Sequence, residues 1–392
     1  MEKERIWTKN FISLMSACAL YNMATQMIMP IIPLFIVAMG ATETQVGLLA
    51  TAFFVSSIIT RLLVNILIRW IRRLHLAYIG MFLAVIVIAL YCLAETAGVT
   101  AILRIAQGVG FGIITTLLTA MGADVLPDSK RGEGIGYFGM GIVLAMTIAP
   151  ILSISLMESF GFNHVFLVSA GVPLIAAAIL SLYKPPPYVK EPTQEVRTKE
   201  PVLQQLFEPK ASFQAALVIL TGLCRSADMN FIAIFAELRK LEYLALYFSV
   251  QTVASFLIRL FAGRVSDRKG RSWVLIPGGV AVLVAMVVLS VAQSGEVMLL
   301  AGFFNGIGIG VLVPGMQVWL FEIVSPDKRN VASSMYFNFY DIGVSVGAIL
   351  LGVIAENLGY GWMWQATAFA AFLFLVLYIC FGRKRAGVGS QG

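Results

Sequence analysis

Charge is scarce in this chain of 392 residues. Only 12% of it is Asp, Glu, Lys or Arg and 59% is hydrophobic, where a soluble domain is about a quarter charged and nearer half apolar. That imbalance excludes a water-soluble globular class. Cysteine and histidine are scarcer still, at four and two residues. Cys18, Cys92, Cys224 and Cys380 all fall inside apolar runs with no C-x-x-C spacing, so they read as buried small residues and not as a disulfide framework or redox pair. His75 and His164 have no metal-like partners at helical or loop spacing, and no metal site is expected. Without a metal cluster, or a nucleophile with an evident base, the sequence does not read as an enzyme and calls for no cofactor.

What the chain has in abundance is long apolar runs. A helix needs about 20 mostly apolar residues to cross the hydrocarbon core, and only helices or closed barrels satisfy their backbone there. Twelve such spans are expected, at 11–37, 44–68, 75–94, 98–123, 133–157, 164–183, 212–236, 243–265, 273–293, 297–321, 331–355 and 361–381. The fold class is therefore an all-α polytopic membrane protein.

Lysine and arginine between the spans fall almost wholly on one side, with Arg239 and Lys240 on the other. Positively charged loops stay cytoplasmic, so both termini are expected in the cytoplasm and the chain in the cytoplasmic membrane. The opening "MEKERIWTKN" precedes a full-length span without an A-x-A-like site and does not read as a cleaved signal peptide. The net charge of +7 is spread over separate loops without interleaved aromatics, which argues against nucleic acid as a partner. "GIGYFG" fits G-x-G-x-x-G but follows no strand, so it does not read as a dinucleotide loop. "PPPY" at 185–188 reads as a proline-rich linker leaving a helix.

That linker is the one long polar interruption. It divides the chain into a six-helix bundle at 1–183, a cytoplasmic linker at 184–211 and a second six-helix bundle at 212–392. Sliding one half over the other at an offset of 198 aligns Arg61 with Arg259, Ser57 with Ser255, and Gly80 with Gly278. The same shift brings Gly108, Gly110 and Gly112 onto Gly306, Gly308 and Gly310, Asp124 onto Glu322 and Arg131 onto Arg329. Coincidence at one shift among residues that are not simply greasy marks an internal duplication, and transporters commonly place their site at the midplane between such repeats. The glycine runs read as close-packing stripes.

With those residues in view, the sequence resembles the major facilitator superfamily of transporters over nearly its whole length. "GRVSDRKGR" between spans 8 and 9 fits the family's loop signature, and "RIAQGVGFG" in span 4 its arginine-glutamine-glycine signature. The exporter pattern of span 5, G-x-x-x-G-P-x-x-G-G, survives only as Ala145, Ala149, Pro150 and Ser153, and its repeat partner reads Gly343, Gly347, Ala348 and Gly352. The resemblance implies two pseudo-symmetric bundles working by alternating access, with spans 1, 4, 7 and 10 lining a central cavity. It also implies that Asp267 latches the cytoplasmic gate against the start of span 5, where a carboxylate complements a helix N-terminus. By the offset Arg69 occupies the matching position and cannot do the same. The expected gate is asymmetric, firm through Asp267, and weak or rearranged around Arg69, with Asp327 or Asp341 as local acids. The other reading of Arg69 is that it snorkels to the headgroups. Arg271 with Glu322, and Arg73 with Asp124, read as matched pairs.

Away from the last residues of the spans four arginines remain, each needing a partner, a cavity or a job. Arg61 and Arg259 lie about two turns from span ends, where snorkelling or gate pairing accounts for them. Arg104 belongs to the span 4 signature, which the resemblance links to proton coupling and to contacts with span 1. Arg225 and Asp228, three residues apart, share a face of span 7. They either neutralise each other structurally, or meet substrate and proton separately. Asp228 and Asp341 are the acids in the span interiors. Polar candidates on the cavity-lining helices are Tyr21, Asn22, Gln26, Gln107, Asn230, Gln251, Asn305, Gln317, Tyr336, Asn338 and Tyr340, any of which could equally be interhelical glue. The expectation is a monomeric secondary transporter surrounded by lipid. It exports a small amphipathic or zwitterionic solute, such as a drug, metabolite or metallophore, in exchange for protons, with import of a polar metabolite as the alternative. A receptor or scaffold that no longer transports is the reading from another class.

Overall fold

A computed structural model describes residues 6–127, 130–184, 209–324 and 329–382. Every regular element among them is helical. In the first half these are α1 (Lys9–Ile28), α2 (Ile31–Ala38), α3 (Glu43–Leu67), α4 (Arg73–Leu90), α5 (Ala97–Asp124), α6 (Arg131–Phe160) and α7 (Phe162–Leu180). The second half has α8 (Ser212–Leu238), α9 (Leu244–Lys269), α10 (Ser272–Val291), α11 (Gly295–Ile323), α12 (Arg329–Leu358) and α13 (Tyr360–Leu377). Among the described residues eleven helical segments are long and apolar enough to cross a membrane, α1 and α2 together forming one and the end of α13 continuing to Gly382 as another. The remaining helix, α6, shows its apolar character over Ile148–Phe160. Burial is inverted relative to a soluble protein. Ile102 and Phe369 are 68% and 65% exposed while Arg104 and Asp228 are 1% and 0% exposed, which suits a hydrocarbon surround.

The first expected span is broken. α1 stops at Ile28, Met29 and Pro30 form a turn, and α2 resumes at Ile31, because Pro30 has no N–H to give and its ring crowds the preceding turn. The charged island "GRVSDRKGR" also differs from the loop expected: α9 runs through it to Lys269 and ends at Gly270, whose φ of +87° suits a glycine C-cap. Its repeat partner is Arg72, which lies extended at φ −58°, ψ 137°. An arginine cannot take the left-handed cap cheaply, so α3 ends sooner, leaving Arg69 in an exposed turn where Asp267 is still helical.

The described chain forms two compact units, Met1–Ala41 with Ala52–Glu191, and Thr42–Thr51 with Pro192–Gly392. In the first, α1 packs on α6 and α7, and α4 on α5 and α7. In the second, α8 packs on α12 and α13, α9 on α11, and α10 on α11 and α13. The early turns of α3 belong to the second unit, where Thr44 N donates to Glu356 Oε2 at 3.0 Å and Thr51 Oγ1 to Ser345 O at 2.9 Å.

Backbone contacts repeat at the 198-residue offset. A Cβ on Gly108 would lie 2.3 Å from Phe53 O, and one on Gly306 would lie 2.1 Å from Gln251 O. Gly112 and Gly310 stand in the same way against Ser57 O and Ser255 O, at 2.7 and 2.8 Å, and Gly110 and Gly308 against the carbonyls of Gly80 and Gly278, at 3.3 and 2.9 Å. No side chain fits the tightest of these places, so the glycine stripes serve helix packing. The partner of the worn exporter motif has a similar use: Gly343 faces Ile219 O, where a Cβ would lie 2.3 Å away, and Gly347 faces Leu223 and Ser226.

Candidate functional site

In the first unit the polar centre is built on α5. Arg104 is buried and Nη1 donates to Gln107 Oε1 at 3.2 Å; the same oxygen accepts from Tyr91 Oη at 2.9 Å. The guanidinium lies 5.2 Å from the Phe53 ring centre and 3.9 to 4.0 Å from Met29 Sδ, so it meets the first span at the break between α1 and α2. Nε has no hydrogen-bond partner, and among the described residues no carboxylate pairs with Arg104. A buried guanidinium held by an amide, a thioether and a ring face is undercompensated.

In the second unit the centre is built on α8. Asp228 is fully buried and its carboxylate is met from two helices. Oδ2 accepts from Arg225 Nη1 on α8 and from Gln251 Nε2 on α9 at 2.9 Å, and Oδ1 accepts from Tyr247 Oη on α9 at 2.6 Å. Asn305 on α11 donates Nδ2 to Tyr247 Oη at 3.4 Å. Arg225 is partly open, its side chain 21% exposed against 0% for Asp228. It also borders a cavity inside this unit with Thr221, Cys224, Tyr340 and Phe374. Of the three donors, Tyr247 and Gln251 are buried and Arg225 alone is partly exposed.

The other residues singled out from the sequence fall around these centres. Tyr336 and Tyr340 on α12 stack at 6.0 Å, and Tyr336 Oη donates to Val313 O at 2.9 Å. Asp341 is 6% exposed, and Ser345 Oγ donates to its backbone oxygen at 2.8 Å. Arg259 Nε donates to Gly310 O at 3.2 Å and Arg61 lies 5.7 Å from the Phe111 ring centre, so both reach inward to the glycine-stripe region of their units. Asn22 Nδ2 bonds back to Cys18 O at 2.9 Å, Asn230 Nδ2 bonds to Ser226 O at 3.0 Å, Tyr21 and Gln26 are buried, and Gln317 and Asn338 are half-buried.

The two matched pairs form within their units: Arg73 Nη1 to Asp124 Oδ2 at 2.9 Å, and Arg271 Nη1 to Glu322 Oε2 at 2.6 Å. Arg271 also stacks 4.7 Å from the Trp319 ring centre. Beside the first pair, burial and the Asp124 carboxylate raise the Tyr183 phenol above its ordinary range, with Arg73 opposing them. The Asp267 side chain and all of Asp327 lie outside the described residues, as does most of the linker. Tyr91 and Tyr247 were not singled out from the sequence. Tyr247 could have been found from its i, i+4 spacing to Gln251 in "YFSVQ", which puts both on one helix face.

The pattern of the Major Facilitator Superfamily matches residues 14–251 and 218–391. The chain belongs to that superfamily. It is a multi-pass membrane transporter and not an enzyme. It is 25% identical over 399 residues to the multidrug resistance protein MdtG of Enterobacter lignolyticus, covering 97% of this chain and 94% of that one. The MdtG of Escherichia coli strain K12 is likewise 25% identical over 390 residues, covering 95% and 94%. Among solved structures, the nucleoside transporter NupG superposes with a TM-score of 0.74 at 13% identity, covering 95% of this chain and 99% of that one. A bacterial homologue of the human lysosomal transporter Spinster superposes with a TM-score of 0.75 at 16% identity, covering 95% of each. These structural likenesses are likenesses of fold.

Proposed function

We propose that this superfamily member is a proton-coupled exporter of a small amphipathic or zwitterionic solute, working as a monomer in the cytoplasmic membrane with both termini inside. The observation that carries the reading is the Asp228 centre, a fully buried carboxylate whose charged partner, Arg225, is partly exposed. An acidic group on the solute competes with Asp228 for Arg225, since a guanidinium takes carboxylate or phosphate readily. Once Arg225 turns away, Asp228 is a buried carboxylate with two neutral donors, and taking a proton removes its charge from the low-dielectric interior. Proton loss restores the ion pair and releases the solute. Exclusive occupancy of this kind gives exchange. The likeness to the MdtG proteins, named for multidrug resistance, favours export over import.

The test is solute-driven proton movement in proteoliposomes loaded with a pH dye, using cationic, zwitterionic and anionic solutes and comparing wild type with Asp228→Asn. Proton flux opposite to the solute, abolished in Asp228→Asn, is the expected result. Coupling retained in Asp228→Asn removes Asp228 as the obligatory carrier and leaves Asp341 to be tested. Flux parallel to the solute makes the protein an importer.

A further inference from the structure

The partners of Asp228 are not interchangeable. Arg225 carries charge and Gln251 is a neutral amide, but Tyr247 has one hydroxyl proton and must point it somewhere. Its ring is fixed by α11, where a Cβ on Gly302 would lie 2.8 Å from Cδ2. Its oxygen receives the Asn305 amide at 3.4 Å, and with that lone pair occupied the hydroxyl donates to Asp228 Oδ1 at 2.6 Å. Asn305, Tyr247 and Asp228 thus form a directed chain of hydrogen bonds from α11 through α9 to α8.

We propose that Tyr247 is the positioning residue for Asp228, and that the direction of its hydrogen bond reports the protonation of Asp228 to α11. This inference rests on the reading of Asp228 as the proton site. A protonated carboxyl must donate its new proton, and the Tyr247 oxygen lies within reach to accept it. The Tyr247 hydroxyl must then turn its own proton away, toward Asn305, whose carboxamide rotates to present Oδ1 instead of Nδ2. One proton enters at Asp228 from the solvent-accessible side, Tyr247 keeps its own, and the whole chain reverses polarity. The groups around Asp228 that carry or acquire charge are Arg225 and Cys224 on α8, Tyr247 on α9, and Tyr340 with Asp341 on α12. Gln251, Asn305, and Thr367 of α13, whose carbonyl accepts from Cys224 Sγ at 3.8 Å, are uncharged. At the matching positions of the first half stand Pro30, Leu49 and Gln107, so this chain of bonds exists once.

Infrared difference spectroscopy on the purified protein tests this. The carbonyl stretch of protonated Asp228, identified by its loss in Asp228→Asn, is followed against pH in wild type, Tyr247→Phe and Asn305→Leu. Removing a donor from the charged carboxylate favours the protonated form. The band is therefore expected to appear about one pH unit higher in Tyr247→Phe, roughly tenfold in proton concentration, and higher by less in Asn305→Leu. Should Tyr247→Phe not fold, Asn305→Leu alone decides. Bands with the wild-type midpoint in both variants, or no Asp228 band at any pH where the wild type stays folded, overturn the proposal. The pH profile of transport in the same variants separates the two readings. If the band moves and the transport profile does not, Tyr247 still positions Asp228, but Asp228 is not the coupling site.

Discussion

Gln107 and Asn305 stand at matching places in the two halves and serve opposite charges, Gln107 by a direct bond and Asn305 through a tyrosine. Gln107 Oε1 accepts from both Tyr91 Oη and Arg104 Nη1, while Asn305 Nδ2 donates to Tyr247 Oη, which in turn donates to Asp228. The first half centres on a cation and the second on an anion, and an amide at the same helical position belongs to each network.

Among the described residues Arg104 has no acid to offset its burial, and this makes an unusual stability prediction. Arg104→Met keeps the volume and removes a charge that costs free energy to bury, so thermal unfolding of the detergent-solubilised protein is expected to stay within about 1 kcal/mol of wild type or rise above it. Gln107→Leu strands both Arg104 and Tyr91 and is expected to cost about 2 kcal/mol. If Arg104→Met destabilises more than Gln107→Leu, the first centre is better compensated than its contacts indicate.

The second centre behaves in the opposite way. Arg225→Met leaves a buried carboxylate without its cation and is expected to destabilise by about 2–4 kcal/mol. The double variant Arg225→Met with Asp228→Leu is expected to recover most of that loss while remaining unable to couple. A double-mutant cycle on unfolding midpoints measures it, and additive losses would mean the pair is not a unit.

Glycines of similar sequence context are expected to diverge sharply. Gly343→Ala drives a methyl group into Ile219 O between α8 and α12, costing about 1–3 kcal/mol by overpacking. Gly171 in α7 has nothing within 4 Å of a new Cβ, so Gly171→Ala is expected to gain about 0.5–1 kcal/mol from helix propensity. Parallel thermal melts decide; equal effects would refute the packing argument.

At the two matched ion pairs, Arg271 is expected to matter more than its acid. Glu322→Ala removes one half-exposed pair and costs less than about 1 kcal/mol. Arg271→Ala also removes the stacking on Trp319 at 4.7 Å, adding up to about 1 kcal/mol. Equal melting temperatures for the two variants would show that the stacking contributes nothing.

Much of this was legible in the sequence because its signals are periodic or paired. Apolar length gave the spans, and the offset of 198 anticipated which glycines share a role and which arginine meets which acid. Arg225 with Asp228 was legible from spacing on one helix. What escaped depends on neighbours far along the chain. Tyr247 and Tyr91 are ordinary span-end aromatics until Asp228 and Gln107 come within hydrogen-bond distance. The break at Met29 and Pro30 lay in plain view, but strong hydropathy on both sides concealed it. The longer α9 followed from one glycine, Gly270, against one arginine, Arg72, a difference that hydropathy does not register.

The glycine–carbonyl contacts recur in both halves while the charges they frame do not. Scaffold and chemistry are therefore separable kinds of inheritance. After the duplication, backbone approaches at Gly108 and Gly306 or at Gly112 and Gly310 had to persist for either bundle to close, but the neighbouring side chains were free to diverge in sign. A lineage built this way can exchange a few buried polar residues without reinventing the architecture that carries them.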